Sequence, residues 1–213
     1  HLRRAIELDP EIADRYCWLC YRLLRENRVE EAVAAGRRAV ELDPEATLGH
    51  YFLAITLWIQ AGSETRAELW NEVFEVFEKS RQLVPRYQAA HQMMGVALMF
   101  RGKYAEAGEA LERAAEIESS DVYDLSRFAG GHAMLARLRF REGELDEAMR
   151  LALRSQEILS DRDHVYKTAM LCLTHGVIGD VLLRQQRPAE AIAAYRTAVE
   201  SALAHPRGLG VGS

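Results

Sequence analysis

The feature that most constrains this chain is a short phrase that returns along it. "AIELDPE" at residues 5–11 reappears as "AVELDPE" at residues 39–45. Between the two phrases, apolar residues recur at three- and four-residue steps and the pattern breaks at Glu26–Arg28. This periodicity predicts two helices joined by a turn. Because such a helix pair cannot bury its apolar face alone, stacked neighbouring copies must bury it.

Further copies extend the repeat along the chain. Three of them begin at His91, His132 and His175, and a more divergent copy runs from His50 to Pro85. Two antiparallel helices approach closely only where small side chains line their crossing. We therefore expect a tight crossing in each copy, at the slot that holds Cys20, Ala54, Gly95, Ala136 and Gly179.

These slots resemble the tetratricopeptide repeat family. The family places a large residue, Leu, a small residue and an aromatic on the first helix, then two Ala slots with an aromatic between them on the second helix, and a closing Pro. The first complete copy fills that pattern with Tyr16, Leu19, Cys20, Leu23, Ala32, Gly36, Ala39 and Pro44. The resemblance covers nearly the whole chain and implies an all-α, right-handed solenoid of stacked antiparallel helix pairs. It also implies a concave groove lined by the first helices, which takes peptides or helices.

The spacing of the copies predicts how the chain is divided. The step from Pro44 to Pro85 exceeds the step from Pro10 to Pro44 by seven residues, and the step from Ser119 to Ser160 is equally long. Seven extra residues make about two helical turns, so a helix can lengthen there without rotating its apolar stripe. We expect one solenoid over 1–205, cut from a longer array, and a flexible tail over 206–213. The parts of the solenoid are an orphan second helix at 1–10 and repeats at about 13–46, 47–87, 88–121, 122–161 and 162–205.

Cys17 and Cys20 have the spacing of redox and zinc sites. A reactive pair of this kind gains its low thiol pKa from a helix N-terminus or a nearby cation, whereas this pair lies inside a predicted helix. A zinc site needs further ligands, and the remaining cysteine, Cys172, is four repeats away. We interpret the pair as packing residues and expect no metal and no cofactor.

Four histidines recur in one slot of successive repeats, at His50, His91, His132 and His175. Equivalent slots in neighbouring repeats lie about 10 Å apart when helices pack at their usual distance. Since zinc needs its nitrogen ligands at about 2 Å, these rings cannot share an ion. We expect them to pack between helices with a hydrogen bond.

Charge and composition exclude several classes of function. The net charge of −5 disfavours nucleic-acid binding, which uses a basic face. No apolar stretch is long enough to span a bilayer. Three cysteines fit a reducing compartment, so we expect a cytoplasmic protein. No phosphate-binding loop or catalytic motif occurs, and Gly130-Gly131 indicates a kink or a helix start. We expect no catalysis.

The concave groove is the predicted binding surface, for a protein partner and preferably an amphipathic helix. The family's clamp for a terminal carboxylate uses Lys and Asn, which these positions lack. The sequence leaves open whether Tyr51, Ile55 and Trp58 line the groove or the core. By helical phase the groove carries Tyr21, Tyr51, Ile55, Trp58, Gln92, Val96, Met99, Arg137, Arg141 and Arg184.

We interpret the chain as a protein-interaction scaffold from a larger, bacterial signalling or regulatory protein. Two alternatives are an RNA-binding helical-repeat protein and a regulatory site for small anions among Arg137, Arg141 and Arg184. Self-association is expected as well, because Leu2 and Ile6 belong to a helix without its partner and the last repeat has no polar covering helix.

Overall fold

The computed structural model describes residues 2–63, 67–119, 130–161 and 167–204. Within these ranges the chain forms eleven α-helices and no β-strand. The helices are α1 (Leu2–Leu8), α2 (Ala13–Arg25), α3 (Val29–Leu42), α4 (Thr47–Ser63), α5 (Ala67–Leu83), α6 (Gln88–Phe100), α7 (Tyr104–Ser119), α8 (Gly131–Glu142), α9 (Leu145–Asp161), α10 (Lys167–Arg184) and α11 (Pro188–Ala204). The expected all-α solenoid of stacked helix pairs is confirmed.

The chain forms two compact units, and the boundary between them falls within α6, between Met94 and Gly95. In the first unit, α2 packs against α3, and α4 packs against α5. Helix α4 also contacts α3 and α2, which are both helices of the preceding repeat. An ion pair from Arg37 to Glu72, with 2.9 Å between Nη2 and Oε1, ties α3 to α5.

The second unit repeats this arrangement with α8 against α9 and α10 against α11. Helix α9 packs on α10, α7 on α8, and the first helices α8 and α10 contact each other. A buried hydrogen bond joins α9 to α10, where the hydroxyl oxygens of Ser155 and Thr174 lie 3.0 Å apart. The Tyr195 hydroxyl of α11 donates to Oδ1 of Asp180 on α10 at 2.6 Å.

The small-residue slot makes the close crossings that the sequence predicts. A Cβ atom on Gly95 would lie 2.5 Å from Cγ of Leu111, and one on Gly179 would lie 2.5 Å from the Tyr195 ring. Both distances are far below van der Waals contact, so the glycines leave room for a large side chain on the second helix. Where the second helix carries Gly36 in place of Leu111 or Tyr195, the same slot accommodates the larger Cys20, which is completely buried.

Four of the turns that join the two helices of a pair have the same backbone conformation. Asn27, Gly102, Gly143 and Gln186 occupy the same slot of their repeats and all have positive φ, between 57° and 87°. In each case the next residue donates its N–H to the carbonyl five residues back, as Arg28 does to Leu23 at 2.9 Å. This is the Schellman motif, in which a left-handed residue ends a helix and satisfies its last carbonyls.

Helix α4 is longer because it lacks this stop signal. The equivalent slot holds Ala61, which continues the helix to Ser63. Helices α4 and α5 have 17 residues each, against 13 in α2 and 14 in α3. In the last repeat α10 has 18 residues, against 12 in α8. The lengthening that the step from Ser119 to Ser160 predicts falls partly in residues 120–129, which lie outside the described residues, as do 162–166 and the expected tail.

Candidate protein-interaction surface

The paired cysteines lie in the core. Cys17 and Cys20 are both buried, and Cys20 packs in a cluster with Leu23, Ala32 and Ala35. Burial raises the pKa of the Cys17 thiol to about 11 and that of Cys20 to about 12. Among the described residues, no group of His, Cys, Asp and Glu side chains is arranged to hold a metal ion.

In α4 and α6 the histidine slot joins the first helix to the turn before it. His50 Nε2 donates to the carbonyl of Pro44 at 2.9 Å, and His91 Nε2 donates to that of Pro85 at 3.0 Å. Both rings are buried, which gives the expected packing role with a hydrogen bond. The fourth histidine of the series, His175, is half-buried, and desolvation lowers its pKa.

His132 uses a different partner. Its Nδ1 lies 2.7 Å from Oε2 of Glu118, whose carboxylate also accepts the backbone N–H groups of Gly130 at 2.6 Å and His132 at 2.9 Å. The Glu118 side chain is wholly inaccessible to solvent. Since α8 begins at Gly131, as the glycine pair indicates, this carboxylate caps its N-terminus.

Two of the expected groove residues are buried in the first unit. Tyr51 is only 3% exposed, because the rings of Tyr87 and Phe77 cover it at centroid distances of 5.1 and 6.4 Å. Gln92 is also buried, and its Oε1 accepts a hydrogen bond from Nε2 of Gln88 at 2.9 Å. Tyr51 is therefore a core residue. Neither Tyr51 nor Gln92 offers much surface to a partner.

The other expected residues of the first unit remain accessible. Tyr21, Ile55 and Trp58 are half-buried. Tyr21 also lies beside Arg25, whose guanidinium carbon is 6.0 Å from the ring centroid. Each of these three side chains is partly packed within the protein and partly accessible to solvent.

An aromatic cluster was missed by the sequence analysis. Trp18 on α2 is 52% exposed, and its ring centroid lies 6.4 Å from that of Phe52 on α4. Tyr21 completes the cluster, 6.2 Å from Trp18 and 5.3 Å from Phe52. Trp18 and Phe52 each lie two positions before the small residue of the tight crossing, so they occupy the same repeat slot. That shared slot is the signal that could have identified them.

Helix α4 carries an apolar strip next to this cluster. We use the term apolar strip for Leu48, Phe52, Ile55 and Ile59, which follow one another at steps of four, three and four residues. Leu48 is 38% exposed and Ile59 is 41% exposed. The whole helix, from Thr47 to Ser63, contains no Asp, Glu, Lys or Arg.

The expected groove residues of the second unit are two apolar side chains and three arginines. Val96 and Met99 are half-buried, whereas the arginine cluster, Arg137, Arg141 and Arg184, is exposed. Aromatic rings support two of its members. Arg141 donates from Nη2 to the Tyr104 hydroxyl at 2.6 Å, with its guanidinium carbon 4.9 Å from the ring centroid, and Arg184 lies 5.5 Å from that of Phe140.

Comparison with known families identifies the repeat. Two tetratricopeptide repeat models match the chain, one over residues 19–80 and 177–209 and the other over residues 89–121. The chain belongs to the tetratricopeptide repeat family. Proteins of this family generally mediate protein–protein interactions and are generally not enzymes.

The chain is also similar to the human mitochondrial import receptor subunit TOM70, with 24% identity over 164 residues. That match covers 77% of this chain and 26% of the receptor, so the chain spans about a quarter of the receptor's length. At this identity the receptor's activity and partners do not carry over.

Solved tetratricopeptide repeat structures share the fold. YrrB, described as a TPR protein with an unusual peptide-binding site, has 20% identity and a TM-score of 0.59, with 98% of this chain and 96% of that chain covered. PilF of Pseudomonas aeruginosa has 18% identity and a TM-score of 0.70, covering 89% and 76%. MamA of Desulfovibrio magneticus RS-1 has 17% identity and a TM-score of 0.63, covering 90% and 96%.

Across the described part of the chain, none of the helices has both the length and the apolar character needed to cross a membrane.

Proposed function

We propose that this chain is a protein-interaction scaffold that binds a peptide or an amphipathic helix of another protein along its first helices, without catalysis of its own. The observation that carries the proposal is the apolar strip on the charge-free helix α4. The aromatic cluster beside it supports the same conclusion.

The argument begins with the composition of α4. A helix at the surface of a protein normally carries charged residues on its solvent face. Helix α4 has none, although Leu48 and Ile59 are both more than one third exposed. An uncharged apolar face that is left open to water usually marks an interaction site. This composition is the one expected of a helix that a partner covers.

The shape of the face favours a helical partner. The strip follows helical spacing for about three turns, and a helix bound in a groove inserts its own anchors at i, i+3, i+4 and i+7. Trp18, Tyr21 and Phe52 extend the apolar surface from α4 onto α2. Aromatic side chains of this kind are the commonest energetic anchors of interfaces.

The wider setting that we propose is a larger bacterial signalling or regulatory protein in the cytoplasm. In support, the three cysteines are free thiols, which fits a reducing compartment. Proteomic identification of the intact protein in a fractionated source cell would test this assignment, and recovery from an oxidising compartment would contradict it.

The binding surface is tested with Trp58→Ala and a peptide selected on the wild-type chain from a random display library. Trp58 is half-buried beside the strip. Since truncating an aromatic anchor is costly, we expect the substitution to weaken peptide binding by roughly 2 kcal/mol. The melting temperature should change little. Calorimetric titration gives the affinity, and circular dichroism gives the melting temperature.

Tyr51→Ala is the matched control on the same helix. Tyr51 is buried beneath two other rings. Its truncation should lower the free energy of unfolding by roughly 3–5 kcal/mol, as for other large core residues. If Trp58→Ala instead showed this large destabilisation with unchanged affinity, Trp58 would be a core residue and the proposed surface would be wrong.

A further inference from the structure

Most arginines on the second helices have a glutamate partner one helical turn away. In each pair the glutamate neutralises the charge of the arginine. The pairs are Arg38–Glu41, Arg81–Glu78, Arg113–Glu116, Arg150–Glu147 and Arg154–Glu157, and Arg187, the residue before α11, pairs with Glu190 in the same way.

The arginine cluster of the first helices α8 and α10 is different. Across the described residues, no carboxylate lies within ion-pair distance of Arg137, Arg141 or Arg184. The contrast appears within α8 itself, since Arg139 binds three glutamates, Glu112, Glu142 and Glu144. Within the described part of the chain, glutamates therefore neutralise the arginine on one face of α8, whereas Arg137 and Arg141 on the other face have no ion-paired carboxylate.

Two members of the cluster are also held in place. Arg141 is hydrogen-bonded to the Tyr104 hydroxyl and makes a cation–π contact with its ring, and Arg184 makes such a contact with Phe140. Arg137 lies one turn before Arg141, and α8 packs directly against α10. Guanidinium groups that are fixed before binding lose less side-chain entropy when a ligand arrives.

We propose that the arginine cluster binds acidic side chains of the peptide partner, and this inference rests on the proposed function. The planar guanidinium fork matches a carboxylate geometrically, and hydrogen bonds between ionised groups are about twice as strong as neutral ones. An occupant rich in Asp or Glu supplies the carboxylates that the described residues do not place within ion-pair distance of the arginine cluster.

The observations favour an acidic peptide over RNA. Single-stranded nucleic acid needs aromatic faces on which its bases can stack. In this cluster the Tyr104 and Phe140 rings each already have a guanidinium over one face.

The test compares peptide selection on three forms of the full chain. The cluster variant carries Arg137→Gln, Arg141→Gln and Arg184→Gln. The control variant carries Arg150→Gln, Arg154→Gln and Arg187→Gln, which removes the same charge from paired positions. A random peptide library with blocked C-termini is selected on each form. Thermal unfolding verifies that both variants fold, and Arg137→Gln alone replaces the cluster variant if it does not.

We expect the wild type and the control variant to select peptides enriched in Asp and Glu, and the cluster variant to select peptides without that enrichment. A selected acidic peptide should bind the cluster variant at least about tenfold more weakly than the wild type. Its Glu→Gln analogue should bind both forms equally, because the coupling between the two sets of charges is then absent.

Three results would overturn the inference. Wild-type peptides that follow the apolar pattern without acidic enrichment would refute the arginine site and leave the proposed function standing. Failure to select any peptide would refute both. A single-stranded RNA oligonucleotide that binds the wild type and is lost only in the cluster variant would assign the surface to nucleic acid instead.

Discussion

Cys17 and Cys20 illustrate how position within a repeat decides the chemistry of a side chain. Both thiols are buried between helices, and desolvation is the largest cause of their raised pKa values. The thiolate is the reactive form of cysteine, so a raised pKa makes a thiol inert. Spacing alone suggests a redox motif, whereas the repeat slot identifies Cys20 as a packing residue.

Alkylation should therefore modify Cys172 first. At mildly alkaline pH the Cys17 and Cys20 thiols, with pKa values of about 11 and about 12, are almost entirely protonated, while Cys172 is partly exposed. We expect native protein treated with iodoacetamide to carry one label, and unfolded protein to carry three. Mass spectrometry of the digested protein gives the sites. Labelling of Cys20 at the rate of Cys172 would contradict the packing interpretation.

We expect the stability of the protein to depend on the size of the Cys20 side chain more than on its sulfur atom. Cys20→Ala removes one heavy atom from the cluster with Ala32 and should leave stability nearly unchanged. Cys20→Leu overfills that cluster and should cost about 1–3 kcal/mol. Urea unfolding of both variants measures the difference. One equivalent of bound zinc, lost in Cys17→Ser, would show that the cysteines form a metal site instead.

At the level of helices, the spacing of the repeats predicts that the second repeat has longer helices, but it does not give the reason why they are longer. The long step from Pro44 to Pro85 indicates two extra turns. The structure adds that Ala61 replaces the left-handed residue that ends the first helix in four other repeats. Such a stop signal is local, so comparing this slot across the copies indicates that α4 continues past Ala61.

The burial of Tyr51 is harder to predict from sequence. Helical phase places Tyr51 beside Ile55 and Trp58, and that relation is local. Its burial depends on the rings of Phe77 and Tyr87, which come from the next second helix and the turn after it. Periodicity predicts on which face of its own helix a residue lies, but it does not predict which other residues cover that face.

Two glycines of α10 provide a matched test of close helix packing. A Cβ atom on Gly179 would lie 2.5 Å from the Tyr195 ring, while one on Gly176 would meet nothing within 4 Å. We expect Gly179→Ala to lower the free energy of unfolding by about 1–3 kcal/mol through overpacking. Gly176→Ala should raise it by up to about 1 kcal/mol, because alanine favours the helix. Chemical denaturation distinguishes the two, and equal effects would argue against the tight crossing.

At the scale of the whole molecule, exposed apolar residues concentrate on α11. Ile192, Val199 and Leu203 are each more than half exposed, and Leu203 reaches 71%. In two earlier repeats the position equivalent to Ile192 holds Val33 and Gly108, and both of these residues are buried. A Cβ on Gly108 would lie 3.7 Å from Leu138 of the next first helix. The exposed face of α11 therefore has the character of a surface that another helix covers.

This face predicts self-association that depends on concentration. Light scattering of the wild type should give an apparent mass that falls on dilution. Val199→Glu should shift the protein toward the monomer, because it places a charge within the apolar face. Thr197→Glu adds the same charge at an exposed polar position of α11 and should leave association unchanged. A monomer at every concentration would refute this prediction.

The histidine junctions have a consequence for how such a chain can grow. His50 and His91 bind carbonyls only six residues earlier, so each of these junctions lies within one short stretch of sequence. A gene duplication that copies this stretch copies the donor and the acceptor together, and the new junction needs no further mutation. The junction at His132 draws on Glu118, fourteen residues upstream, and it is inherited intact only when the duplicated segment spans both. Repeats joined in the first way can be multiplied by recombination more freely than the repeat that begins at α8.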